Sequence, residues 1–415
     1  MKDMIKAMRR KAVLFLLSFV LLLFPFCALG ETRVMVVSDL HYLARELYEG
    51  SELFLRALRA GDGKFTQYGD ELLDALEKTV LRETPDALIV SGDLTFNGEK
   101  ASHQALAERF TRLRQMGVPV WVIPGNHDIN TGAARGYTDG GWYGTEGVTE
   151  ADFASIYQDF MLPGTEGAHF SYAVPLSDSL WAAMTDVAFY QGQAQTFGLF
   201  SAGHRAWLQS VLEQARQAGA EVITVTHHSL IAHTDFLRNS YQMMGYETML
   251  ELARQYGVRL NLSGHLHIQH VAQEADVADA ALGAFCLWPH RYAMVTLRDD
   301  GSVQYEARSL SAADLPEGML TESHAWFYDI TEEKTRSALA GASLSEDALA
   351  AMADFAARFN LAYFSGTYSS TDPTWRDDPA YALWQEYEGG VFGQYLNLVM
   401  DEPNGENLYL NLERP

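Results

Sequence analysis

The chain has only two cysteines, Cys27 and Cys286. The first lies in an expected export signal, so no internal disulfide can staple the mature protein. Basic side chains are scarce as well: Lys and Arg total 30 against 54 Asp and Glu, a net charge of −24. A balance that acidic repels a polyphosphate backbone at long range and excludes binding to a nucleic-acid polymer by charge. An apolar run from Ala12 to Phe26 is short for a bilayer span and is interrupted by Pro25. Neither an internal repeat nor a low-complexity tract occurs. What the chain does have is 415 residues, 48% of them hydrophobic, enough for two or three domains around a sizeable core.

Lys2, Lys6, Arg9, Arg10 and Lys11 precede the apolar run, and Ala28-Leu29-Gly30 closes it with a small-x-small pattern. Residues 1–30 therefore read as a signal peptide, with an uncleaved anchor as the alternative. Losing its five bases and its one acid, Asp3, takes the net charge from −24 to −28. That acidity suits a soluble protein secreted from a bacterial cell or held at its extracellular face, with no stable membrane span after cleavage.

From Arg33 onward, short β-branched runs alternate with helical periods. Arg33–Ser38, Ala87–Ser91, Val118–Ile123, Glu221–Thr226 and Val258–Ser263 are predicted strands, and Tyr68–Arg82, Ser102–Met116, Ala202–Ala218 and Gly245–Tyr256 predicted helices. The alternation implies an α/β layered core, mixed β-sheets flanked by helices, over residues 31–309. Further strands are predicted at Phe170–Val174, Leu180–Thr185, Ala280–Cys286, Tyr292–Leu297 and Val303–Ala307. Residues 310–415, rich in Ala, Leu and Glu and studded with aromatics, read as a C-terminal all-α domain. Those aromatics, the Met243-Met244 pair and Cys286 are expected in the core, and His204 and His233 in structural roles.

The chemistry gathers where the predicted strands end. The first runs into Asp39-Leu40-His41, where side chains two apart in an extended chain face the same way. The second ends in Gly92-Asp93, whose carboxylate has two oxygens with which to bridge two cations. The third delivers Pro124-Gly125-Asn126-His127-Asp128, the fourth His227-His228, and the fifth Gly264-His265-Leu266-His267. Ligands in open α/β sheets bind beyond the carboxyl ends of strands, so the five clusters are expected to meet in one crevice. Oxygen and nitrogen donors without thiolate suit Mn, Fe or Zn.

This ordered set resembles the signature of the calcineurin-like metallophosphoesterases. The stretch Ser38 to Ala44, the insert Gly61-Asp62-Gly63-Lys64, Gly92 to Lys100 and Gly125 to Asn130 resemble, more closely, the exported bacterial cyclic-nucleotide phosphodiesterases with a C-terminal helical domain. The resemblance implies two divalent metal ions, Mn, Fe or Zn. Asp39, His41, Asp93 and His267 would hold one, and Asp93, Asn126, His227 and His265 the other. The chain departs from the family at Ser229, where many members carry proline, which leaves His228 as an alternative to His227.

The reaction expected is in-line attack of a metal-bridging hydroxide on the phosphorus of a small phosphodiester, foremost a 3',5'-cyclic nucleotide. His127 would stabilise charge or protonate the leaving oxygen, and Asp128 would orient it. A secreted phosphomonoesterase or nucleotidase is the alternative enzyme. A non-catalytic extracellular binding protein is a third reading, against which the complete ligand set argues. Asn97, His103, Arg135, Tyr137 and Asp186 neighbour the motif loops and are expected to cap or pack. A homo-oligomer stays open.

Overall fold

The computed structural model describes residues 30–48, 50–236, 241–387, 390–402 and 405–414. The chain divides into two units, Met1–Glu31 and Thr32–Pro415; the second carries the fold, and the expected signal peptide lies outside the described residues save for Gly30. Among the described residues no helix is long and apolar enough to cross a membrane.

Parallel pairing links β1 (Thr32–Val37) to β2 (Ala87–Ser91) and β2 to β3 (Val120–Ile123). A small hairpin follows, β4 (Arg135–Thr138) with β5 (Gly141–Gly144). Then come β6 (Tyr172–Pro175), β7 (Leu180–Met184), β8 (Glu221–Val225), β9 (Leu260–Ser263), β10 (His270–Glu274) and β11 (Val277–Ala281). β12 (Arg291–Leu297), β13 (Val303–Ser309) and, from the end of the chain, β14 (Tyr409–Leu412) complete the set. Two six-stranded mixed sheets result, ordered β14-β13-β12-β1-β2-β3 and β10-β11-β9-β8-β7-β6.

Near-continuous apolar runs such as Val34–Val37 and Ala87–Val90 mark strands covered on both faces. One apolar cluster joins the sheets, with Val34, Ile89 and Val122 from the first and Ala182, Ile223 and Leu262 from the second. The helices Gly69–Glu83 and Lys100–Gln115 add Leu72, Leu76, Leu106 and Phe110 to it. The helices Ala202–Ala218 and Tyr246–Tyr256 cover the second sheet through Trp207, Leu208, Met249 and Leu250. His204 has the structural role expected. It caps the first of these two helices reciprocally with Ser201, and its Nε2 lies 2.6 Å from the Asp186 carbonyl.

After β13 the chain is helical, as the composition implies, through Met319–Leu339, Glu346–Phe364, Pro379–Glu386 and Gly390–Asp401. Phe355, Phe359, Trp384 and Met400 form its core. The chain then adds β14, antiparallel to β13, a strand too short to be read from four residues and defined only by its distant partner. A second departure concerns Ala280–Cys286. The strand there is Val277–Ala281, and the following loop donates from Phe285 N to the Ser38 carbonyl at 2.9 Å and from Cys286 N to that of Asp39 at 3.3 Å. Met243 is buried as expected, whereas Met244 is exposed.

Candidate metal centre

The parallel pairing of β1 and β2 continues into the loops beyond them. Asp39 N donates to the Gly92 carbonyl at 3.1 Å and His41 N to that of Asp93 at 3.0 Å. Asp39 and His41 therefore do not converge by strand alternation. They lie past the end of β1 with φ of 55° and 41°, and the turn itself brings His41 Nε2 to 3.9 Å from Asp39 Oδ1. Asp93 (φ 48°), His265 (68°) and His267 (61°) also occupy the left-handed region, a conformation that costs of order 1–3 kcal/mol at each non-glycine residue and persists only where surrounding structure enforces it. Close approach requires glycine beside them: a Cβ at Gly125 would overlap Asp93 Oδ1, and one at Gly264 would overlap Ser38 Oγ.

Ligand atoms of Asp39, His41, Asp93 and His267 all lie within 4.8 Å of one another, as do those of Asp93, His227 and His265. Asp93 belongs to both groups. His41 Nε2 faces Asp93 Oδ2 at 3.5 Å and His267 Nε2 at 3.1 Å, and His227 Nε2 faces Asp93 Oδ1 at 3.3 Å. Asn126 joins the second group, its Oδ1 3.2 Å from His227 Nε2. All seven candidate ligands thus meet in one place. His228 turns away: its Nε2 lies 3.1 Å from the Thr196 carbonyl and its ring sits beside that of His265.

Buried Asp93 Oδ2 and His265 Nε2 have no hydrogen-bond partner among the described residues. Orphaned polar atoms in such a setting cost free energy unless something satisfies them, so the donor set fits two bound cations. Burial alone would raise the Asp93 carboxyl, but His227 and His127 outweigh it and hold the group well below the usual carboxylate range. Burial also opposes charge on His227, yet Asp93 pushes that imidazole up to about 9. His41 and His265 are driven down, chiefly by burial.

His127 and Asp128 divide differently from expectation. His127 N donates to Asp93 Oδ1 at 2.8 Å, and its ring stacks edge-on to His41, centroids 4.9 Å apart. Its Nδ1 is held by the Phe96 carbonyl at 2.9 Å and Asn97 Oδ1 at 3.2 Å. Asp128 does not orient that ring. Its carboxylate is fully buried and accepts from the backbone N–H groups of Leu94, Thr95 and Gly125 at 3.2, 3.0 and 2.8 Å, tying two motif loops together.

The region from β1 to Gln269, residues 32–269, matches the family model described as calcineurin-like phosphoesterase. It contains every residue of both groups. The chain belongs to the calcineurin-like phosphoesterases. It is accordingly a metal-dependent phosphoester hydrolase with a dimetal phosphoesterase fold. Residues 321–405 match a second model, the C-terminal domain of cyclic nucleotide phosphodiesterase. No curated protein matches the chain. Among solved structures, a dimetal phosphatase from Danio rerio aligns over 68% of this chain and 96% of its own at 15% identity, TM-score 0.48. The anchor in the inner membrane complex of Plasmodium aligns over 72% and 95% at 13% identity, TM-score 0.41. Phosphopantetheinyl hydrolase from Mycobacterium tuberculosis aligns over 62% and 91% at 13% identity, TM-score 0.30. Likenesses so remote carry nothing about substrate.

Within this phosphoesterase site the motifs alone assign no role to Asp62 or Lys64, and Asn97, expected to cap or pack, anchors the His127 ring. Asp62 Oδ2 lies 2.9 Å from His267 Nδ1, and Lys64 Nζ grips the same carboxylate at 2.8 Å. The Gly61-Asp62-Gly63-Lys64 insert was the available signal. A cavity of about 560 Å³ reaches both groups, lined by Asp93, Asn126, His127, His265 and His267. Tyr363, Phe364 and Tyr395 line the same cavity, while Tyr363 is also buried in the helical core as expected, with Phe364 and Tyr395 packed against that core. His103 and Asp186 are buried and pack as expected, His103 against Tyr157 and Asp186 against Tyr190.

Proposed function

We propose that this phosphoesterase hydrolyses a 3',5'-cyclic nucleotide at two divalent metal ions, with Asp93 bridging them. Asp39, His41, Asp93 and His267 would hold one ion, and Asp93, Asn126, His227 and His265 the other. The observation that carries the reading is the sharing of Asp93 by two ligand groups beneath a cavity walled by the region that matches the phosphodiesterase C-terminal model.

Bound divalent cations would lower the pKa of water toward neutrality and neutralise phosphoryl oxygens. The chain's own residues do the rest. Asp93, fixed at Oδ1 by the His127 backbone N–H, would be shared by the two ions. His127 has Nδ1 anchored by the oxygens of Phe96 and Asn97, so its Nε2 is the free atom of the ring; in the imidazolium form, protonated at both nitrogens, Nε2–H would stabilise charge on the phosphoryl group or pass its proton to the leaving alkoxide. Lys64 lines the same cavity and adds a fixed cation on the Asp62 side. Buried surroundings strengthen each of these interactions relative to water.

The proposal extends to organisation. Residues 1–30 act as a cleaved signal, 31–309 as the catalytic domain and 310–415 as the cavity wall of an enzyme working outside the cytoplasm. Hydrolysis of 3',5'-cyclic AMP, 2',3'-cyclic AMP, bis-p-nitrophenyl phosphate and 5'-AMP, with Mn, Fe and Zn added separately, tests the chemistry. Highest kcat/KM on a 3',5'-cyclic nucleotide is expected; a clear preference for 5'-AMP would make the protein a monoesterase instead.

A further inference from the structure

We infer that the helical region builds a purine-recognition wall, in which Tyr363 and Tyr395 stack the base and Asn360 donates a hydrogen bond to it. The inference rests on the reading of the site as a cyclic-nucleotide phosphodiesterase and adds which part of the nucleotide each wall takes.

The cavity lining joins two kinds of group. Asp93, Asn126, His127 and His265 are polar and suited to phosphate through the metals, and Tyr363, Phe364 and Tyr395 are aromatic side chains from the helical region. Its volume, about 560 Å³, falls within the roughly 300–1,000 Å³ typical of small-molecule sites. A phosphate held by the polar groups leaves the rest of the ligand to meet the remaining lining, and every nucleobase has a π-face that gains from stacking on aromatic rings.

Asn360 supplies a direction as well as a surface. It stands three and four residues before Tyr363 and Phe364 on the helix Glu346–Phe364, so the three side chains share one face. Its Oδ1 accepts from the Tyr395 hydroxyl at 2.9 Å. Its Nδ2 makes no hydrogen bond among the described residues, and the residue, 9% exposed, lines the cavity. A cavity-lining donor without a protein partner is open to a ligand that brings an acceptor. Purines bring one on every edge, N7 among them, and two fused rings to stack.

The test compares kcat/KM on 3',5'-cyclic AMP with kcat/KM on methyl p-nitrophenyl phosphate, a diester without a base, in wild type, Asn360→Asp and Tyr363→Leu. The first variant keeps the shape and the bond from Tyr395 but removes the donor; the second removes a stacking face. Each is expected to lower the cyclic AMP to base-free ratio about tenfold or more, and a ratio cancels any general loss of folded enzyme. Wild type is expected to favour 3',5'-cyclic AMP over 3',5'-cyclic CMP. A ratio unmoved in both variants, or equal turnover of the two cyclic nucleotides, would overturn the inference alone. Wild type that cleaves the base-free diester or 5'-AMP but no cyclic nucleotide would overturn it together with the reading beneath it.

Discussion

Asp62 Oδ2 and His267 Nδ1 stand 2.9 Å apart, and Lys64 Nζ lies 2.8 Å from the same carboxylate oxygen. A carboxylate on Nδ1 fixes the imidazole with its proton there, so that Nε2 presents a lone pair toward Asp39 and His41. Loss of such a support typically weakens a metal site about 10- to 100-fold. Asp62→Ala is therefore expected to raise the dissociation constant for one ion by that factor in chelator competition, and Lys64→Met by less. Unchanged affinity in Asp62→Ala would leave the pair without a role in metal binding.

Asp93 serves both ligand groups, whereas Asp39 serves one. Elemental analysis after reconstitution is expected to find two ions per chain in wild type, about one in Asp39→Ala and fewer than one in Asp93→Ala. Retention of both ions without Asp93 would contradict the bridging arrangement.

His127 touches Asp93 through its backbone and faces the cavity with its ring. His127→Ala should keep both metals and lose roughly 10²- to 10⁴-fold in kcat, the usual worth of a positioned proton donor. Asn97→Ala, which removes one of two anchors of that ring, is expected to lose less. Full activity in His127→Ala under saturating substrate would strip the residue of its assigned part.

Asp128 predicts a different phenotype. Its carboxylate satisfies three buried backbone donors, and each donor left bare costs roughly 1–3 kcal/mol. Asp128→Ala is expected to lower unfolding free energy by roughly 3 kcal/mol or more in urea titrations. If Asp128→Asn kept its stability yet lost turnover with metals bound, a direct chemical role would have to be restored.

Glu99 gives a pH signature away from the metal groups. Burial pushes its carboxyl up from 4.5 to about 7, so the folded state prefers the neutral form. That preference favours the fold fully below the unfolded value near 4.5 and is lost as pH climbs through 7. At 1.36 kcal/mol per unit the swing is at most roughly 3 kcal/mol. Thermal melts at pH 5, 7 and 8.5 should show Glu99→Gln gaining on wild type as pH rises; parallel curves would deny the ionisation any place in stability.

The candidate ligand groups are legible in the sequence because each candidate sits in a polar burst directly after an apolar run, as in Val90-Ser91-Gly92-Asp93 and Ile123-Pro124-Gly125-Asn126. Local pattern alone fixes those strand ends, and five of them point to one crevice. Asp39 and His41 nonetheless meet through left-handed turns rather than through strand alternation, which no residue pattern distinguishes. Asp128 sat in a histidine motif, but its partners, Leu94 and Thr95, come from another loop and no spacing reveals them. Tyr363 and Trp384 look alike in sequence; only the packed helices show one lining the cavity and the other at 0% exposure. β14 escaped because pairing with β13, not its own four residues, makes it a strand.

That last strand changes how the aromatic wall is moored. The helices of residues 310–408 leave the first sheet from β13 and come back to it at β14, its immediate neighbour, and Arg259 clasps the returning end through the Leu412 and Glu413 carbonyls at 2.8 Å each. The wall is thus a handle fastened at both ends to the sheet that presents Asp39 and Asp93. Its placement against that sheet depends on the same hydrogen bonds that finish the sheet, so trimming a few residues from the tail is expected to loosen the helical region without touching a residue that lines the cavity.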